Sequence, residues 1–190
     1  MQRLTGDLIN QALEALGATL SLLGEEIEIV VIGGGNLVYS GMVKRASTKD
    51  LDILGRMVNG DVVKMRPVPQ AFAQVVSDVA QQFYLPPDWI NLGPASLLDK
   101  GLPEGFCDRL EREQYSSLVV WFAGRLDLIA FKIYAAANPH VNDPNPSRHH
   151  DDLVELTPKG HELDLGLAWM ATWADEELLD RASAIADTLR

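Results

Sequence analysis

The sequence has a single cysteine and no apolar run long enough to cross a membrane. Cys107 is the only cysteine among 190 residues, so the chain cannot form an internal disulfide. A membrane-spanning helix needs about 20 consecutive apolar residues, and the apolar stretches here are far shorter. The sequence also shows no secretory signal pattern. We therefore expect a cytoplasmic protein without membrane contact.

Positive charge is scarce as well. The chain carries 16 lysines and arginines against 27 acidic residues, for a net charge of −11. Broad, nonspecific binding to nucleic acid needs many phosphate-neutralising cations, so this balance disfavours it. The balance does not exclude a local basic patch, although for any single member an ordinary surface charge is the better interpretation. Its candidates are Lys44, Arg45, Lys49, Lys64 and Arg66.

The most informative stretch lies between Ile27 and Leu54. An apolar run to Ile32 predicts a buried strand, which three glycines follow. The segment 50–54, DLDIL, predicts a second strand, and alternation then puts Asp50 and Asp52 on one face. Their Cα atoms would lie about 6.6–6.8 Å apart, close enough for both carboxylates to bind one divalent cation. Because a glycine turn can direct backbone N–H groups at a phosphate, the combination favours phosphoryl or nucleotidyl transfer.

Each part of this stretch also has a purely structural interpretation. The two aspartates could lie on the solvated face of an edge strand. The glycines could form a plain strand-to-helix turn that needs positive φ. A dinucleotide-binding fingerprint fits poorly, because no third glycine follows at the required offset. The case for a metal site depends on the glycines and aspartates occurring together.

This combination resembles the active-site signature of the DNA polymerase β-like nucleotidyltransferase superfamily. The matching residues are Gly34, Gly35, Arg45, Thr48 and Asp50-Leu51-Asp52. The closest likeness is to a small bacterial branch that includes AbiEii-type toxins and uncharacterised relatives. The resemblance implies a small mixed sheet with the glycine turn and the aspartates on neighbouring strands. It also implies Mg²⁺ or Mn²⁺ on Asp50 and Asp52, and an NTP substrate near the other residues.

Further site residues follow from the same resemblance. Lys132 interrupts an otherwise apolar helix, so it either extends to the surface or points into a polar site. A helix lysine in a comparable position belongs to the active site of AbiEii-like proteins. His149 and Asp152 match a His-x-x-Asp-Leu pattern of the uncharacterised relatives, whereas His150 replaces the lysine of the toxins' Arg-x-x-Lys-Asp pattern. A capped helix start is the structural alternative for this segment.

A third carboxylate is usual in the superfamily, on a later strand. The predicted strand from Ser117 to Phe122 contains none. Glu111, Glu113 or Asp127 could take its place, and the sequence does not choose among them. Asp127 also fits a position near a helix N-terminus, where a carboxylate is stabilising. This gap leaves a catalytically inactive member as an open alternative.

Periodicity and turn residues predict an α/β fold with a helical C-terminal part. The predicted helices are 5–23, 36–42, 71–83, 126–137 and 148–156, followed by one after Thr157-Pro158 and one opened by residues 175–177. The predicted strands are 26–32, 51–54, 62–65 and 117–122, with a turn at Asn59-Gly60 and one possible helical turn at 95–100. Residues 92–106 are otherwise unassigned. We interpret Trp89 as a core aromatic and Asn91 as a turn residue.

The predicted organisation is a core of residues 1–147 and a helical extension of residues 148–190, with a loop at 138–147 between them. The favoured function is Mg²⁺-dependent transfer of an NMP from an NTP to a hydroxyl of RNA or protein. The protein could be the toxin of a toxin–antitoxin pair, with a cognate antitoxin as partner. The alternatives are an inactive nucleotide- or partner-binding protein, and a metal phosphohydrolase built on His149, His150 and Asp151 with His140 or His161.

Overall fold

The computed structural model describes residues 1–138 and 147–190. These residues form two compact units. The first comprises Met1–Gly101 and Cys107–Ala123, and the second comprises Leu102–Phe106 and Gly124–Arg190. The sequence prediction drew the boundary after residue 147, whereas here residues 125–137 group with the C-terminal helices against which they pack. The predicted loop at 138–147 falls largely on 139–146, outside the described residues.

The first unit combines helices with a mixed sheet, and the predicted α/β class is confirmed. Its helices are α1 (Gly6–Leu22), α2 (Gly33–Tyr39) and α3 (Gln70–Gln82), with 3-10 helices at Gly93–Lys100 and Cys107–Arg109. Its strands are β1 (Ile27–Ile32), β2 (Leu51–Val58), β3 (Asp61–Val63), β4 (Ile90–Asn91), β5 (Glu111–Tyr115) and β6 (Leu118–Phe122).

The sheet has the order β3-β2-β1-β6-β5, with β4 paired to β2 off this path. Strand β1 is antiparallel to β2 and parallel to β6. Strand β4 runs parallel to the first residues of β2, so Leu51 lies opposite Ile90 and Asp52 opposite Asn91. Because Ile32 also lies opposite Asp52, the end of β1, the start of β2 and β4 meet at one place.

Helix α1 shows how local sequence sets an element. The Thr5 hydroxyl accepts the Leu8 N–H at 3.2 Å and caps the helix N-terminus, as threonine often does. Gly24, with φ of +70°, follows the helix end, a role that suits glycine. One face of the helix is buried and supplies much of the core: Leu8, Ile9, Ala12, Leu13, Leu16 and Leu20. The prediction of a helix at 5–23 is confirmed to within a residue at each end.

Strand β4 and the 3-10 helix at Cys107–Arg109 were not predicted, β3 is Asp61–Val63 rather than 62–65, and α2, β2 and β5 also differ from the prediction. Helix α2 begins at Gly33 rather than Asn36, because the positive φ of Gly33 (+72°) turns the chain directly out of β1. Strand β2 extends to Val58 and closes a hairpin through Asn59-Gly60, where positive φ at both residues confirms the predicted turn. Strand β5 was not predicted, since four of its five residues are exposed and polar.

The second unit is helical, with α4 (Arg125–Ala137), α5 (Ser147–Leu156), α6 (Gly160–Ala171) and α7 (Glu176–Thr188). Helix α4 packs against the other three, which explains why it is apolar nearly all round. The predicted start of a helix at Thr157-Pro158 is two residues early, since α6 begins at Gly160 and Thr157 has positive φ. None of the helices in residues 1–138 and 147–190 is long and apolar enough to span a membrane.

An ion pair between the partly exposed Arg125 and the buried Glu162 joins the starts of α4 and α6. Glu162 accepts hydrogen bonds from Arg125 at 2.8 and 3.2 Å and from the Lys159 N–H at 2.7 Å. Burial alone would raise the pKa of Glu162, but the bonds from Arg125 and Lys159 outweigh it and hold the pKa below its ordinary value of 4.5. Arg125 also donates to the Leu156 carbonyl at 2.7 Å, so this carboxylate anchors the loop before α6.

This pair predicts a specific acid sensitivity. Because folding lowers the pKa of Glu162, its carboxylate adds stability above pH 4.5 and loses that contribution as the pH falls through the lower folded-state pKa. We expect Glu162→Gln to be less stable than the wild type at pH 7, and the difference to shrink below pH 4.5. Urea denaturation of both proteins between pH 7 and pH 3 measures it. A difference that stays constant with pH would show that the charge of Glu162 does not stabilise this fold.

Candidate functional site

Gly33 brings the start of α2 into contact with Asp52. A Cβ placed on Gly33 would lie 2.1 Å from Asp52 Oδ2, far inside van der Waals contact. The φ of +72° also disfavours any residue with a side chain. Gly33 is therefore the glycine that this site requires most, although the sequence signature highlighted only the two that follow it. The sequence did contain an indication of this role, because Gly33 directly follows Ile32, the last residue of the apolar strand.

The other two glycines make different contacts. A Cβ on Gly34 would lie 2.7 Å from Arg45 Nη2 and 3.5 Å from Thr48 Oγ1. A Cβ on Gly35 would lie 2.7 Å from a Leu51 methyl group and 2.9 Å from the Asp50 carbonyl oxygen. The predicted residues Gly34, Gly35, Arg45, Thr48, Asp50 and Asp52 thus come together at the first turn of α2.

Asp52 and Asp50 are positioned by the start of β2. Asp52 is the second residue of the strand and Asp50 directly precedes it, and both are partly buried. Leu51 and Ile53 are 0% exposed, which confirms their predicted burial. The polar face is limited to Asp52, because Asp50 precedes the strand and Leu54 is also 0% exposed. The Leu51 N–H donates to the Trp89 carbonyl at 2.6 Å, which ties the strand start to the chain segment before β4.

Asn91 is the residue that the sequence interpretation missed. It is not a turn residue: it lies on β4 in register with Asp52. Its Nδ2 donates to Asp52 Oδ1 at 2.8 Å, and its own Oδ1 accepts the Gly93 N–H at 2.9 Å. The interpretation of Trp89 as core is confirmed, since it is 0% exposed and its indole N–H donates to the Val76 carbonyl.

The two candidate carboxylates on β5 lie far from Asp52. Glu111 is opposite Phe122 and Glu113 is opposite Val120, three strands away from β2 in the sheet order. Register also puts them on the other face, because Val120 pairs with Ile29 while Asp52 pairs with Ile32. Neither can replace a third carboxylate beside Asp52. The third candidate, Asp127, is fully buried in the first turn of α4.

Arg45 and Thr48 support the glycine turn in different ways. Arg45 Nη2 donates to the Gly34 carbonyl at 3.3 Å, so its guanidinium lies against the turn. Thr48 is 1% exposed, and its backbone N–H and carbonyl bond to Leu4 at 2.8 and 3.0 Å. This bridge fixes the segment between α2 and β2. Because Arg45 lies in that segment, the bridge also positions its guanidinium beside Gly34.

The candidate basic patch is partly neutralised by carboxylates. Lys49 forms an exposed ion pair with Asp88 at 2.5 Å, and Lys64 forms one with Asp99 at 2.5 Å. Such pairs cancel positive charge that a phosphate backbone would otherwise attract. We therefore do not assign this patch to nucleic-acid binding.

The second unit contains its own polar cluster around Lys132. The Lys132 side chain is 6% exposed and its Nζ lies 2.6 Å from Asp152 Oδ2, also buried. His149 Nδ1 lies 3.4 Å from the same Nζ. His149 and Asp152 are one turn apart on α5, so both face the same point on α4. Lys132 does not extend to the surface, and its assignment to an active site stays a prediction from the resemblance, together with those of His149 and Asp152.

The histidine-rich metal site was a further alternative. Among the residues that the structure describes, no group of three or more histidine, cysteine or carboxylate side chains is placed to hold a metal ion. His140, one of the ligands considered, lies outside those residues. His149 instead contacts Lys132, which is a cation rather than a metal ligand.

Comparison with protein-family models, with curated proteins and with solved structures finds no match to this chain.

Proposed function

We propose that this protein is an Mg²⁺-dependent nucleotidyltransferase, which transfers an NMP from an NTP to a hydroxyl of RNA or protein. The observation that carries the proposal is the contact between Gly33 and the Asp52 carboxylate. It places Asp52, at the start of β2, against a glycine turn that also meets Arg45 and Thr48. A toxin with a cognate antitoxin is one setting for such an activity.

Asp50 and Asp52 would hold the cation in this proposal. Carboxylate oxygens are hard donors that suit Mg²⁺ and Mn²⁺, and the missing Cβ of Gly33 lets Asp52 lie against the main chain. A bound ion would offset triphosphate charge and make the acceptor hydroxyl more acidic. Arg45, whose guanidinium lies beside Gly34, would bind phosphate oxygens, for which its planar set of donors is well suited.

One observation favours a second function, a nucleotide- or partner-binding protein without catalysis. The residue on the strand beside Asp52 is the amide Asn91 rather than a third carboxylate. An amide oxygen carries no charge and binds a divalent cation less strongly than a carboxylate does. The same glycine turn and acidic pair could then bind an NTP with its cation and leave it unreacted.

Transfer of label distinguishes the two functions. The protein would be incubated with each NTP labelled at the α-phosphate, Mg²⁺ or Mn²⁺, total RNA and a cell lysate. We expect label on RNA or protein, and its loss in Asp52→Asn, because that change removes a cation ligand while preserving size. Asp61→Asn is the matched control, since Asp61 is an exposed carboxylate at the start of β3. NTP binding with no transfer to any acceptor would favour the non-catalytic protein.

A further inference from the structure

We propose that Asn91 is a positioning residue that fixes the Asp52 carboxylate for cation binding, an inference that rests on the proposed function. Strand β4 is only two residues long, yet it pairs in register with the start of β2 and sets Asn91 opposite Asp52. The Asn91 amide donates to Asp52 Oδ1 at 2.8 Å, within the range of a strong hydrogen bond. This contact places an amide beside one of the two proposed cation ligands.

The orientation of the Asn91 amide is itself determined by the chain. The Gly93 N–H can only donate, and it lies 2.9 Å from Asn91 Oδ1. The oxygen end of the amide therefore faces Gly93, and the NH₂ end faces Asp52. An aspartate at this position would accept from Gly93 equally well but would offer no donor to Asp52. The pattern of partners selects asparagine here.

The two oxygens of Asp52 have different neighbours. Oδ1 accepts a hydrogen bond from Asn91, while Oδ2 lies 2.1 Å from where a Cβ on Gly33 would be, so it is packed against the main chain. A carboxylate restrained in this way loses little rotational freedom when it binds a cation. The amide does so without adding a third negative charge beside Asp50 and Asp52. Partners of metal ligands commonly act in this manner, and their removal typically weakens metal binding about 10- to 100-fold.

Titration with Mn²⁺ tests the inference by a measurement other than turnover. We expect Asn91→Ala to bind Mn²⁺, in the presence of whichever NTP stabilises the wild type, about 10- to 100-fold more weakly. Gln74→Ala is the matched control, because Gln74 also donates an amide N–H to a carboxylate, Asp78, at 2.9 Å, on the surface of α3. The control should bind Mn²⁺ as the wild type does.

Asn91→Asp provides a second test with nearly unchanged size. It replaces the NH₂ group with an oxygen that faces Asp52 Oδ1, so two carboxylates meet and repel in the absence of metal. We expect a lower melting temperature without metal than in the wild type, and a larger rise on adding Mn²⁺ alone. The double variant Asp52→Asn with Asn91→Asp reverses donor and acceptor. It should recover the metal-free melting temperature but not the binding of Mn²⁺ with NTP.

The possible outcomes separate the two proposals. If no NTP with Mn²⁺ binds the wild type, both the proposed function and the role of Asn91 are overturned. If the wild type binds and Asn91→Ala binds within twofold of it, only the positioning role is overturned. If Asn91→Ala does not fold, Asn91→Asp decides, and a response to Mn²⁺ alone equal to that of the wild type would refute the positioning role.

Discussion

Replacing Lys132 with methionine should lower the free energy of unfolding by about 3–5 kcal/mol. The change removes the ammonium that lies 2.6 Å from Asp152, whose side chain is only 2% exposed. A buried carboxylate deprived of its cation is strongly disfavoured, because little water reaches it to replace the lost partner. Methionine keeps the apolar stem of lysine, so lost packing contributes little. Urea denaturation of the two proteins at pH 7 measures the difference.

The chain offers a matched control for this prediction. Lys49 pairs with Asp88 at a similar distance of 2.5 Å, but the two side chains are 52% and 58% exposed. Exposed pairs contribute little because water and salt screen them, so Lys49→Met should leave the free energy of unfolding nearly unchanged. The double variant Lys132→Met with Asp152→Leu should recover much of the loss, since it removes the carboxylate as well. A cost for Lys132→Met no greater than that of Lys49→Met would contradict the buried pair.

This result also changes how activity measurements on Lys132 are interpreted. If Lys132 only pointed into a polar site, Lys132→Met would preserve the fold and remove a charge from that site. The ion pair with Asp152 makes the same charge a part of the fold. Any loss of NTP affinity in Lys132→Met must therefore be compared with a variant of equal stability. Glu162→Gln is suitable where its stability matches, because it lies on another element of the second unit.

Helices and strands with a clear apolar pattern in their own sequence were predicted correctly. Helix α1 and strands β1 and β6 were predicted nearly to the residue, because their periodic or continuous apolar residues specify both type and burial. The burial of Leu51 and Ile53 was predictable for the same reason. Strand β5 escaped prediction because its sequence, EREQY, carries no apolar pattern. It forms by pairing with β6, which is a property of the partner strand.

The parts of the candidate site that the sequence missed depend on contacts between distant residues. Asn91 follows Asp52 by 39 positions, and only the register of β4 on β2 brings the two together. In the sequence, Gly33 is one of three consecutive glycines. The structure separates it from the two that follow, because only Gly33 lies against the Asp52 carboxylate. Similarly, His149, Asp152 and Lys132 were assigned to a site only through the resemblance, and their mutual contact depends on the packing of α4 on α5.

Binding of an NTP with Mg²⁺ or Mn²⁺ should raise the melting temperature of the wild type and not that of the Asp50→Asn, Asp52→Asn double variant. A ligand that binds only the native state, present at 100 times its dissociation constant, adds about 2.7 kcal/mol of stability. For a chain of this length the rise is about 5–10 °C. The triphosphate supplies oxygens that the two carboxylates lack, so the metal alone should produce a much smaller rise.

The metal-free double variant separates loss of binding from loss of folding. Each asparagine keeps an acceptor oxygen, so the residue at position 52 can still accept the Asn91 N–H. Removing two neighbouring carboxylates also relieves their repulsion when no cation is bound. The unliganded variant should therefore melt at or above the wild-type temperature, and Asp61→Asn should respond to NTP and metal as the wild type does. An equal rise in the double variant, or no rise in the wild type with any NTP, would refute a cation site at Asp50 and Asp52.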